Sequence, residues 1–494
     1  MTNTLLLSRY AVIFIGLLLT PNLCLATNGY FAHGYSAKQR GMAGAGTALG
    51  ADAFVGAINP ALLVDVGDRL DVNLSLFTPI RDFSANEPNI PPVTGAGLFQ
   101  VDPIARERST RNLFPIPGIA ASWRINEQAT WGITLYGNGG LSTSYNEPTA
   151  TFANGDSTGL LGFSETCEGA FGGGDNVGTQ GGFALCGQGD DHSSVDLIQA
   201  FIVPTLAYRI SWLSLGISPI FAVQRFKATG LSAFARFSES PDRVSDNGAD
   251  LSYGVGGRIG FNANVTSWLN VGGSYQTRIN MTEFDKYKGL FTDQGDFDIP
   301  SNFNVGIALL PSTHHRFLVD YQRINFNEVK AVGDALDPNE FVNDCARPRL
   351  GFGTERTAAC LGGDDGPGFG WQDVTVYKFG YEYVHGALDF RLGYSNNTQP
   401  IRPNEVLFNI LAPAVPEHHF TAGMSWRYSE TLGFDFAVLY VPRNTIRGKN
   451  PLSNVEGGAA SLITGGNNFG VDPNDQDIEL RMEQFELTFG INFL

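Results

Sequence analysis

The stretch LRMEQFELTFGINFL, Leu480–Leu494, alternates with a period of two. Phe485, Leu487, Phe489, Ile491 and Phe493 share one face, while Glu486, Thr488, Gly490 and Asn492 share the other. Successive side chains point to opposite sides only in extended backbone, so the pattern predicts a strand with one oily and one polar face. The same reading holds upstream. Between Leu70 and Leu76, leucine and valine alternate with Asp71, Asn73 and Ser75; Phe434, Phe436, Val438 and Tyr440 stand opposite Asp435.

About fourteen such segments are predicted, near 69–78, 114–125, 129–138, 194–210, 213–229, 248–265, 268–281, 297–310, 315–329, 371–384, 387–396, 417–428, 432–446 and 477–494. Their connections alternate between short turns, such as Asn126-Glu127-Gln128 and Ser429-Glu430-Thr431, and long loops, 139–193, 330–370 and 447–476. This rhythm is expected of an all-β protein, a fourteen-stranded antiparallel outer-membrane β-barrel. Closure pairs every backbone group inside the bilayer, and the outward row meets lipid. Trp123, Trp131, Trp212, Trp268 and Trp426 lie beside short turns and Trp371 beside a long loop. Indoles favour the lipid–water boundary, so these five mark a periplasmic girdle.

Composition agrees. Only 16% of residues are charged, 60 are glycine, and the formal charge of −17 disfavours a nucleic-acid partner. Residues 1–26 read as a signal peptide: Arg9, an apolar run from Ala11 to Leu19, and small residues before Thr27. Four cysteines follow, in two local pairs that read as loop staples, Cys167–Cys186 and Cys345–Cys360.

Residues 27–66 precede the first strand and do not read as one. They are rich in glycine and alanine and contain Asn59-Pro60-Ala61, a natural start for a one-turn helix. A barrel this wide leaks unless it is filled, so the stretch is expected to be a plug inside the lumen of a barrel formed by 67–494.

At this point the sequence resembles the FadL family of outer-membrane transporters for hydrophobic compounds. The resemblance rests on Gly41–Leu62, on Tyr136-Gly-Asn-Gly-Gly-Leu-Ser-Thr-Ser-Tyr145, and on the strand pair Tyr377–Tyr383 with Phe390–Ser395. It implies an N-terminal hatch in a fourteen-stranded barrel and capture of substrate in an external hydrophobic groove. Exit is then sideways, at an inward kink in the third strand, and the protein is a monomer. The ending in Leu494 departs from the aromatic terminus of many such barrels, although Phe493 keeps the outward row.

The residues offer candidates for these roles. Gly137-Asn138-Gly139-Gly140 interrupts the third strand, either as the exit kink or as a strand end entering a loop. Lys378, Arg258 and Arg391 lie on inward faces and are candidate contacts for a carboxylate head group. Glu382 should oppose Arg391 or Asp389 across the 385–387 turn; pairing with Arg391 leaves Lys378 the freer cation. No cofactor or metal is expected. Gly44-Ala45-Gly46 lacks the strand and Lys-Ser/Thr of a phosphate loop, and His314-His315 and His418-His419 read as surface histidines.

The expected activity is passive transport across the bacterial outer membrane, amid lipid and lipopolysaccharide, with long-chain fatty acids favoured by a lumenal cation. Uptake of aromatic or aliphatic hydrocarbons is the alternative. A lipid-modifying enzyme or an adhesin is the alternative of another class, although neither G-x-S-x-G nor H-E-x-x-H occurs.

Overall fold

A computed structural model describes residues 28–86, 99–101, 103–145, 150–152, 193–349, 353–452 and 476–494. The expected leader and the pairing of Cys167 with Cys186 lie outside them. Fourteen strands form the wall: β1 Arg69–Ala85, β2 Phe114–Arg124, β3 Ala129–Tyr145, β4 Ser193–Ile210, β5 Leu213–Thr229, β6 Asp250–Thr266 and β7 Leu269–Gln276. The remainder are β8 Asn302–Leu309, β9 His315–Ile324, β10 Val374–His385, β11 Leu388–Asn397, β12 His418–Arg427, β13 Leu432–Lys449 and β14 Asp477–Phe493. Each pairs antiparallel with its neighbours in sequence, and β14 closes on β1 with Leu70 opposite Phe493 and Leu76 opposite Leu487. Closure pairs the strands around the wall, so that an unpaired edge is confined to the place where β2 and β3 part.

The faces follow the alternation. Phe485, Leu487, Phe489, Ile491 and Phe493 point outward, and Gln484, Glu486, Thr488 and Asn492 are buried inside. Trp123 stacks on Trp131 with centroids 4.4 Å apart at the short-turn end, where Trp212, Trp268 and Trp426 are also exposed. Trp371 is buried instead in the interior of the loop region.

Several strands depart from their predicted bounds: β1 runs on to Ala85, β7 ends at Gln276 and β9 at Ile324, and the departure of β3 bears on the site. β3 does not stop at Asn138 but runs on to Tyr145 through a bulge, since Gly137 opposes Ala200 and Gly139 opposes Gln199 on β4. On its other side, the β2–β3 ladder spans Arg124–Thr130 to Gly118–Tyr136, while β1 and β2 remain paired out to Phe77–Phe114. Beyond Tyr136, β3 therefore follows β4 and leaves β2. The long loops carry a core of their own, including Phe237, Phe284, Phe326, Val332, Phe341 and Leu407. Cys345 and Cys360 are disulfide-bonded within it.

Candidate functional site

Residues 28–66 fold through local caps and are held by the inward polar face of the wall. Ser36 caps a short helix, α1 Ala37–Arg40; Asp52 caps the turn Ala53–Ala57; Asn59 caps the turn Pro60–Asp65 through the Ala61 amide at 3.1 Å. The Asn59 side chain also donates to the carbonyls of Thr47 (2.8 Å) and Phe261 (2.9 Å). Asn59-Pro60-Ala61 is thus both a helix start and a tie to β6.

The barrel reciprocates. Asp71 accepts from the Ala53 amide at 2.8 Å and Asn73 from the Ala37 amide at 3.0 Å. Asp320 accepts from the Gly46 amide (2.8 Å), the Thr47 amide (2.9 Å) and the Thr47 hydroxyl (2.8 Å). Arg40 pairs with Glu486. A small-residue segment without regular structure must hand its backbone groups to the wall, and the polar lumenal face receives them. Burial, with Asp71 alongside, pushes the Asp52 carboxyl up to about 6.

The three candidate cations have different surroundings. Arg258 donates to the Gly56 carbonyl at 3.0 Å, to Gln276 at 2.5 Å and to the Tyr136 hydroxyl at 3.5 Å. Its fork therefore ties the hatch to β3 and β7. Arg391 pairs with Glu382 at 2.5 Å and donates to Ser425 at 2.6 Å; Glu382 also takes Arg316 at 2.8 Å. Glu382 thus stands opposite Arg391, not Asp389. Lys378 stands opposite Asp320 and makes no hydrogen bond or ion pair among the described residues. The hatch lies over it, for a Cβ on Gly44 would come within 3.4 Å of its Nζ.

The glycine run meets the hatch directly. Phe31 forms an antiparallel bridge with Gly139, and the Ala32 amide donates to the Asn138 carbonyl at 3.1 Å. Asn138 donates to Gln199 at 3.0 Å and accepts from the Tyr35 hydroxyl at 3.2 Å. Beside the parted β2–β3 ladder, Phe77, Phe114 and Ile116 pack with Ala32 and Tyr35. One face of the bulge is backbone-bonded to the hatch, and apolar groups pack where β2 and β3 part.

Above the hatch lies an apolar cleft, walled by Phe226, Leu231, Phe234, Phe291, Phe369, Phe408 and Leu411 with other apolar neighbours; among the described residues, none of its lining side chains is charged. Rings continue inward from it. Phe291 touches Phe297 at 4.9 Å, Phe369 touches Trp371 at 6.2 Å, and both lead to Tyr30, 6.3 Å from Phe297 and 5.9 Å from Trp371. Tyr30 stacks on Phe31 at 5.4 Å, next to Gly139. Edge-to-face and tilted contacts of this kind make a surface that accepts apolar or aromatic guests.

Sequence reading missed the cleft because its residues come from β4, β5 and four separate loops; phenylalanines inside glycine-rich loops were the available signal. It also missed His33 and misjudged His419. His419 faces inward and is buried, with its ring centroid 3.9 Å from that of His33. Burial, followed by the nearby His419, Lys378 and Arg40, holds His33 well below the usual imidazole range.

A search of curated protein sequences returned no match. Among solved structures the chain is similar to the Ralstonia pickettii toluene transporter TbuX, with TM-score 0.53 and 16% identity over 93% of this chain and 98% of that one. A Pseudomonas aeruginosa FadL homologue gives TM-score 0.58 and 12% identity over 94% and 99%. The Pseudomonas putida toluene transporter TodX gives TM-score 0.55 and 14% identity over 94% and 99%. These likenesses show a shared fold. The family model described as outer membrane protein transport protein (OMPP1/FadL/TodX) matches residues 23–458. The chain belongs to that family, outer-membrane barrels that transport hydrophobic compounds.

Proposed function

We propose that this transporter takes up neutral hydrophobic molecules, aromatic or aliphatic hydrocarbons, through the phenylalanine-lined cleft and releases them sideways at the Gly137–Gly140 bulge. The observation that carries the reading is the absence of charge from the cleft lining among the described residues, together with the run of rings from Phe291 and Phe369 to Tyr30 and Phe31. An apolar guest gains roughly 0.8 kcal/mol per CH₂ removed from water. A carboxylate brought into the same cleft loses its hydration without a cation to replace it. The gap between β2 and β3, next to Phe114 and Ile116, supplies an apolar route into the bilayer.

Long-chain fatty acids are the second reading, and Lys378 favours it. Its ammonium has no ion pair among the described residues, and a carboxylate would reach it once the hatch loop at Gly44 moved. Uptake of labelled toluene and labelled oleate by cells producing the protein separates the two. The first reading expects toluene uptake to rise with expression and to fall about tenfold in Phe291→Asp, with oleate unchanged. Oleate uptake that rises with expression while toluene stays flat would overturn it.

A further inference from the structure

Above the lipid band on the outer wall, three guanidinium groups converge on one carboxylate. Asp82 continues the outward row of β1 yet is almost inaccessible, because Arg106 (2.7 Å), Arg481 (2.6 Å) and Arg443 (3.9 Å) surround it. Among the described residues the neighbouring acids do not balance this excess: Arg106, Arg443, Arg447 and Arg481 share Asp82, Glu479 and Glu483. Arg443 reaches Glu483 only at 3.8 Å, and Arg447 reaches Glu479 only at 3.9 Å while Glu479 is shared with Arg481. Arg443 and Arg447 keep 40% and 66% of their side-chain surface exposed, so their forks are open to another oxyanion.

Their height in the membrane is set by the strands. Outward rings on β12, β13 and β14 lie in register, Phe420 opposite Tyr440 and Tyr440 opposite Phe485, with Tyr440 and Phe485 5.0 Å apart. At the short-turn end the outward row finishes at Phe493. From Phe493 to Arg481 the strand rises about 40 Å along its axis, which at the usual barrel tilt is about 30 Å across the membrane and clears the apolar band. Arg443, Arg447 and Arg481 come next beyond Tyr440 and Phe485, at the level of lipid head groups. The pattern recurs nearby on β4 and β5, where Asp196 takes both Arg111 at 3.4 Å and Arg225 at 2.9 Å. On the β9–β10 side the corresponding rim pair is balanced, Arg323 with Asp373 at 2.9 Å.

We infer that the β13–β14–β1 wall holds a phosphate-bearing glycolipid of the outer leaflet, its phosphate seated between Arg443 and Arg447. A guanidinium fork matches a phosphate bidentately, and the interface lowers the screening that weakens such pairs in water. The net charge of −17 makes a surplus of arginine at this depth the more specific. This site lies outside the barrel and is independent of what passes through the cleft.

The test uses the whole barrel in detergent, with folding checked by its heat-modified migration in electrophoresis. Binding of bisphosphorylated lipid A is measured by native mass spectrometry. The Arg443→Gln, Arg447→Gln double variant should bind it at least about tenfold more weakly than the parent protein. Dephosphorylated lipid A should bind the parent with a similar loss, and Arg323→Gln should bind like the parent. Equal binding by parent and double variant, or equal binding of phosphorylated and dephosphorylated lipid, would overturn the proposal. Displacement by millimolar inorganic phosphate would reveal a free-anion site and overturn it too.

Discussion

Gly139 lies against the backbone of Tyr30, so closely that a Cβ added to it would come within 1.6 Å of the Tyr30 carbonyl oxygen. The strand has little room to retreat, since a Cβ at the adjacent Gly140 would meet the Leu197 carbonyl at 2.2 Å. Gly139→Ala should therefore displace the Tyr30–Phe31 segment at a cost of about 1–3 kcal/mol. Hydrogen exchange of the Ala32 amide, bonded to the Asn138 carbonyl, should speed up, and small-ion conductance in planar bilayers should rise. Gly257→Ala is the control, because its Cβ would find only the Ser218 carbonyl, at 3.9 Å.

The same pair of residues marks where sequence reading stops. Alternation at Phe485–Phe493 identified β14 and its lipid face, because period and burial are both local properties of a half-exposed strand. The bulge at Gly137–Gly140 leaves two readings open, because what continues β3 to Tyr145 is β4 beyond a long loop, and what braces the bulge is Phe31, more than a hundred positions upstream. Inward polar residues were equally ambiguous. Arg258 was legible as lumenal, but its partner, the Gly56 carbonyl, belongs to a segment whose placement no periodicity encodes. Cys345–Cys360 was legible because the pair is close in sequence; the cleft was not, being assembled from distant loops.

Arg258→Met tests the role of that cation. Losing a charged donor to the Gly56 carbonyl and Gln276 leaves buried acceptors unpaired, a destabilisation of about 2 kcal/mol. Exchange at the Ile58 and Asn59 amides should accelerate, and uptake of neutral and acidic substrates should change by the same factor. A selective loss of fatty-acid uptake with normal hatch protection would instead identify Arg258 as a head-group contact.

The disulfide should matter for the cleft rather than the wall. Cys345 and Cys360 are fifteen residues apart and both buried, and Leu361 beside Cys360 lines the cleft. Closing a loop of that length restrains the open chain by about 3 kcal/mol. Cys345→Ser combined with Cys360→Ser should increase proteolytic nicking between residues 330 and 370 and weaken ligand retention. Barrel migration in electrophoresis should stay unchanged.

Glu405 gives the loops a dependence on pH whose sign is fixed by its surroundings. Its carboxylate accepts from the Leu336 amide at 3.1 Å and from Asn404 at 2.8 Å, with Gly370 pressed against it. Burial pushes its pKa up to about 7, opposed by the Leu336 hydrogen bond and by Arg402. The folded loops therefore hold a proton that the opened loops release at about 4.3. Between those values the folded state binds more protons, so stability falls as pH rises and is fully present only at the acidic end. The protection factor of the Leu336 amide, its exchange rate relative to the intrinsic rate at the same pH, should be larger at pH 5 than at pH 8. Glu405→Gln keeps an acceptor for that amide and cannot ionise, so the difference should flatten at the protected level. An unaltered pH dependence in this variant would assign the titration to another group.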